Sequence, residues 1–146
     1  MAGDRLRVLI EHWADGVQVH SIAGNGMVEL VESGSLSGPA VDAVLSPILD
    51  PLMEEHVDVL VLGCTHYPFL RQAVSSYVGP EIRIIDSGEA IARRTMNLLQ
   101  EDRLLHERGE LGWLQMYTTG DAESASRVAS VLLGRDVRVE HRDIPS

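Results

Sequence analysis

Apolar and polar positions along this chain follow two periods, one helical and one extended. Residues 3–14 place Leu6, Leu9, Ile10 and Trp13 on one helical face. VQVHSI at 17–22 reads as a strand, closed by the turn Gly24-Asn25-Gly26. Met27, Val28, Leu30 and Val31 predict a short helix stopped at Ser33-Gly34. Val41, Val44, Leu45, Ile48, Leu49 and Leu52 recur at helical spacing, with Asp42, Ser46, Asp50 and Glu54 opposite. Pro47 and Pro51 fall inside that pattern and predict a kink or two abutting pieces, because each costs about 3 kcal/mol in a regular helix interior.

The second half of the pattern is strand–helix alternation. VDVLVLG at 57–63 is almost continuously apolar, as a parallel strand covered on both faces would be. Pro68 opens a helix carrying Phe69, Leu70, Ala73, Val74 and Tyr77. IRIID at 82–86 is a strand. Asp86 is placed to cap the next helix, with Glu89 in capping-box position and Ile91, Thr95, Leu98 and Leu99 on the buried face. Residues 101–112 are polar and read as a linker or ragged helix end. LQMYTTG at 114–120 is a strand, Asp121 caps a helix ending at Gly134, and VRVEHRDI at 137–144 is a last strand at a sheet edge. The fold class is therefore α/β, a layered, mostly parallel sheet flanked by helices.

Composition narrows the function. With 22 acidic against 12 basic residues the net charge is −10, which disfavours nucleic-acid binding. No apolar run reaches the roughly 18 residues of a membrane span. No secretory signal is evident, and one cysteine allows no internal disulfide. The expected compartment is the reducing cytoplasm. The histidines lack HxxxH spacing, so no metal site is expected.

Chemistry is concentrated in VDVLVLGCTHYPFL. An apolar strand ends in Gly63, and Cys64, Thr65 and His66 follow at its carboxyl end, where open α/β sheets bind ligands. A helix start at Pro68 would bring amide donors close, favouring a substrate carboxylate and the thiolate form. A helix end supplies only about 0.3–2 kcal/mol, roughly one pKa unit, so a second group is required. His66, two residues along, is that group: as a cation it stabilises the thiolate, and as a neutral ring it accepts the proton. Thr65 offers a hydroxyl and an amide. The competing account is ordinary: a lone cysteine behind a strand is commonly a small buried hydrophobe. Asp86-Ser87-Gly88 and Thr118-Thr119-Gly120-Asp121 also sit at strand–helix junctions, where helix capping is the commoner explanation.

GCTHYP at 63–68 resembles the second cysteine motif of glutamate racemase, in the aspartate/glutamate racemase superfamily. MVELVESG (27–34), the Val41–Met53 helix, DVLVLGCTHYPFLR (58–71), IRIIDSGEAIAR (82–93) and YTTGD (117–121) follow in family order. The resemblance implies two α/β domains facing across a cleft, each giving one cysteine, with no cofactor and no metal. It implies that Cys64 is an acid/base catalyst, that His66 assists it and that Thr65 binds substrate. The substrate would be glutamate, and the product would supply peptidoglycan precursors in cell-wall synthesis.

The same comparison identifies this chain with the carboxyl-terminal half only. Residues 1–100 match the second-cysteine domain without its first strand. Residues 101–146 match a segment that packs on the absent first domain. One cysteine cannot serve both faces of a carbon, so the second base falls to a homodimer or to the missing amino-terminal half. Two other readings compete: a single-cysteine superfamily enzyme acting on a small dicarboxylic acid, and a non-catalytic domain that binds a partner or an anion.

Overall fold

The structure, a computed structural model, describes residues 4–106 and 112–144. Most of the middle of the predicted linker, 107–111, lies outside them. The core gathers around helix α3, Pro39–Glu54. Its apolar stripe buries Val41, Leu45, Leu49 and Leu52. Against it pack the short helix α2 (Met27–Glu32), strand β1 (Val59–Leu62), helix α4 (Arg71–Val78) and strand β2 (Arg83–Asp86). Val31, Val41, Leu45, Leu70 and Val74 are the largest fully buried side chains, each worth about 1.5–3 kcal/mol of burial.

Helix α3 is one element of 16 residues rather than two pieces. Pro47 and Pro51 both lie on its exposed side. The carbonyls that their missing N–H groups leave without partners therefore face water, which removes the reason to break.

β1 and β2 pair in parallel, with Leu62 opposite Asp86. Helix α5 (Gly88–Glu101) follows, and then a second unit: β3 (Met116–Thr118), α6 (Ala122–Leu133) and β4 (Val139–His141). β3 and β4 are also parallel. The expected α/β class with parallel strands and flanking helices is present, its strands set in two small two-stranded sheets rather than one layer. The units meet where Leu132 packs against the core and Val131 approaches Gly34.

Three expectations fail, for related reasons, while the expected first helix forms. Residues 17–22 form no strand, and Val17, Val19 and Ile22 are exposed; no neighbour among the described residues offers them a ladder. Helix α1 (Asp4–Trp13) forms, but Leu9 and Trp13 are exposed. Helix α5 buries none of Ile91, Thr95, Leu98 or Leu99. β1 is covered on one face only: Leu60 and Leu62 are buried while Val59 and Val61 are exposed.

The caps divide similarly. Asp121 accepts the Ser124 amide at 2.6 Å, and α6 ends on left-handed Gly134, as read. Asp86 accepts the Gly88 amide at 2.9 Å, but Glu89 pairs with Arg93 instead of closing a box. Among the described residues, no helix is long and apolar enough to cross a membrane.

Candidate active site

Strand β1 delivers the chemistry because its alternate leucines are anchored. With Leu60 and Leu62 fixed in the core, the chain leaves the sheet at Gly63 and turns. The Tyr67 amide donates to the Cys64 carbonyl at 3.2 Å and the Phe69 amide to the His66 carbonyl at 3.1 Å. A 3-10 turn, Tyr67–Leu70, runs from there into α4. The α-helix proper thus starts at Arg71 and not at Pro68. Its dipole acts from farther off than the sequence suggested.

Cys64 Sγ lies 3.8 Å from His66 Nδ1. Cys64 is partly buried, outside the fully buried core. His66 Nε2 lies 3.4 Å from Glu32 Oε1. A proton on Nε2, facing the carboxylate, leaves the Nδ1 lone pair toward the thiol; a second proton makes a thiolate–imidazolium pair. Thr65 is exposed beside them, and its hydroxyl has no partner among the described residues.

Helix α2 is held to this loop at both ends. At its start, the Tyr67 hydroxyl donates to the Gly24 carbonyl at 3.4 Å. A methyl group on Gly24 would stand 2.5 Å from that hydroxyl oxygen and 2.8 Å from Met27 Sδ, so the close approach depends on glycine here. At its far end α2 presents Glu32 to His66. Tyr67 titrates above its ordinary range, first because of burial and then because of the charge of Cys64.

Arg71 ties the helix after the loop to the end of β2. It donates to Asp86 Oδ2 at 2.6 Å and to the Ile84 carbonyl at 2.8 Å. Asp86 is thereby committed to structure, as is Thr118, whose hydroxyl accepts the Gly120 amide at 3.0 Å. These junctions serve as caps. An open pocket of 290 Å³ sits at the end of β3 and β4, lined in part by Tyr117, Thr118 and Arg142; it shares no residue with the Cys64 loop. Among the described residues no three His, Cys, Asp or Glu side chains cluster as a metal site requires.

Glu32 escaped the sequence reading. Spacing gave no hint, since it lies far from His66 along the chain. One signal existed: an acid in the last position of a helix opposes the dipole, and a broken local rule often marks a working residue.

Comparison with known proteins places this geometry. No family model matches the chain. It is 36% identical over 132 residues, 90% of its length, to the glutamate racemase of Herpetosiphon aurantiacus, covering 52% of that protein. The crystal structure of a Bacillus anthracis glutamate racemase superposes with a TM-score of 0.79 at 30% identity, over 96% of this chain and 52% of that one. The Escherichia coli glutamate racemase, solved with L-glutamate and an activator, gives 0.76 at 26% identity, over 98% of this chain and 54% of the other. The chain spans about half the length of each relative. Over the half that it spans, this chain is similar to the glutamate racemases, which are isomerases.

Proposed function

We propose that Cys64 moves the α-proton of glutamate, as one of the two acid/base groups of a cofactor-independent racemase. The observation that carries this reading is the line Cys64–His66–Glu32, with Sγ 3.8 Å from one ring nitrogen and a carboxylate 3.4 Å from the other. The thiolate takes the α-proton, and the electron pair left on the carbon spreads into the substrate carboxylate. Thr65 binds that carboxylate through its hydroxyl and amide. The protonated sulfur can return the proton to the same face and restore the starting enantiomer, whereas a protonated acid on the opposite face delivers its proton there and inverts the centre. His66 assists Cys64 from 3.8 Å, and Glu32 orients the ring. Glu32 is largely exposed, so the pair adds only about 0.2–1 kcal/mol to stability; its contribution is geometric.

The substrate follows from the relatives' names and from the glutamate bound in the Escherichia coli structure. The same reading puts the product into cell-wall precursor supply in the cytoplasm. It also divides the chain at about residue 100, which the two separate sheets support. The test is α-proton exchange in heavy water with each enantiomer. Exchange that Cys64→Ala abolishes is expected, and exchange that survives Cys64→Ala overturns the reading. One sulfur serves one face, so the chain alone should exchange one enantiomer faster than the other. A second reading rests on the same single cysteine: a superfamily enzyme needing one proton donor would turn over a small dicarboxylic acid and leave glutamate unexchanged.

A further inference from the structure

Helix α2 has six residues, too few to hold a helix together in water, and no side chain caps its start. Its place is set by what it packs against. Met27 and Val31 are buried and hold one side of α2 to the core. Apolar contact is non-directional, so it fixes which side faces inward and not how far the helix has slid along its axis. Polar contacts must set that, and two come from the Cys64 loop. His66 Nε2 meets Glu32 at the far end of α2 at 3.4 Å. The Tyr67 hydroxyl donates to the Gly24 carbonyl, before the start of α2, at 3.4 Å. That carbonyl also accepts the Met27 amide at 3.2 Å, so the phenol holds the bond on which the helix begins. It is a stop as well: a methyl group on Gly24 would stand 2.7 Å from the ring carbon that bears the hydroxyl. His66 and Tyr67 are neighbours in the chain, and they engage opposite ends of an element about 9 Å long.

We infer that Tyr67 is a positioning residue: its hydroxyl sets where α2 sits along its axis, and so whether Glu32 reaches His66 beside Cys64. The Glu32 contact cannot hold α2 by itself, because exposed ion pairs are weak and 3.4 Å leaves little slack. Tyr67 is half-buried and packs on the core, where water competes less. Burial also holds its phenol above the usual range, so it stays a donor wherever the thiol titrates. The inference rests on the role proposed for Glu32 and adds the residue that puts Glu32 in reach.

The experiment is a double-mutant cycle on the full chain. It is read by iodoacetamide labelling of Cys64 and by the ring-nitrogen magnetic resonance signals of His66, identified by their loss in His66→Asn. Tyr67→Phe keeps the ring on the core and removes the hydroxyl alone. It should slow labelling about twofold, the lower end of coupling between residues of one network. It should also move the ring signals away from the form with its proton on Nε2. In Glu32→Gln the same change should add nothing. Tyr77→Phe, which loses a phenol hydroxyl from the latch between α4 and Asp50, should behave as the parent does in both readouts. The inference is overturned if Tyr67→Phe labels as the parent does, if it slows Glu32→Gln by the same factor, or if Tyr77→Phe matches its effect. Neither readout needs glutamate. Absence of α-proton exchange would therefore overturn the proposed reaction and leave this inference standing, whereas additive effects in the cycle would do the reverse.

Discussion

Tyr77 donates its phenol hydrogen to Asp50 Oδ1 at 2.8 Å, fastening α4 to α3. Ser46, one turn before, holds the other oxygen at 2.7 Å. Together they keep the Asp50 carboxyl below its ordinary range, the Ser46 bond contributing most. The folded pKa is thus below the unfolded value of about 3.9. The resulting stability is present above that value and is lost as pH falls through the folded pKa. The melting temperature of the parent should exceed that of Asp50→Asn at neutral pH, with the gap closing below about pH 4. A gap independent of pH would show that the carboxylate charge has no part.

Arg71 makes a latch of another kind. Its Asp86 partner is only 17% exposed, and a main-chain carbonyl is engaged as well. Arg71→Gln should cost about 1–2 kcal/mol in urea unfolding, after allowing for the half-exposed guanidinium. The fully surface pair Arg7–Glu11 should give no more than about 0.5 kcal/mol when broken in the same way.

The sulfur's reactivity should report its neighbours. Iodoacetamide labelling of Cys64 at neutral pH should slow severalfold in His66→Asn, which removes the ring nitrogen 3.8 Å from the sulfur. Glu32→Gln should slow it less. Equal rates in all three proteins would leave the histidine without a function at the thiol.

Burial should separate two leucine-rich helices that look alike in sequence. Leu45→Ala in α3 removes a fully buried side chain and should cost about 2–5 kcal/mol. Leu98→Ala in α5 should change the stability of the isolated chain by less than about 0.5 kcal/mol, since Leu98 is exposed and no residue of α5 is buried. Urea midpoints of the two variants make the comparison.

That contrast explains what the residues disclosed and what they did not. The apolar stripe of α5 is readable from Ile91, Leu98 and Leu99, but a stripe says which side wants cover and not whether cover is present. VQVHSI has strand composition and no strand, because a ladder belongs to two segments and only one is here. Cys64 and His66 were legible as a pair because two steps along an extended chain return side chains to one side. Glu32 reaches them only through the packing of α2 on the loop, which no local spacing encodes.

The two strand pairs are each closed by the stretch between them, Val59 to Arg83 and Met116 to Val139. Each is therefore a small strand–helix–strand loop of about 25 residues, short enough to assemble from contacts near in the chain. During synthesis the first loop, with its own leucine core, can form before the second has left the ribosome. The order of manufacture then sets a hazard: α5 emerges onto a finished core that does not receive it, and until something does, its greasy side is free to find other nascent chains.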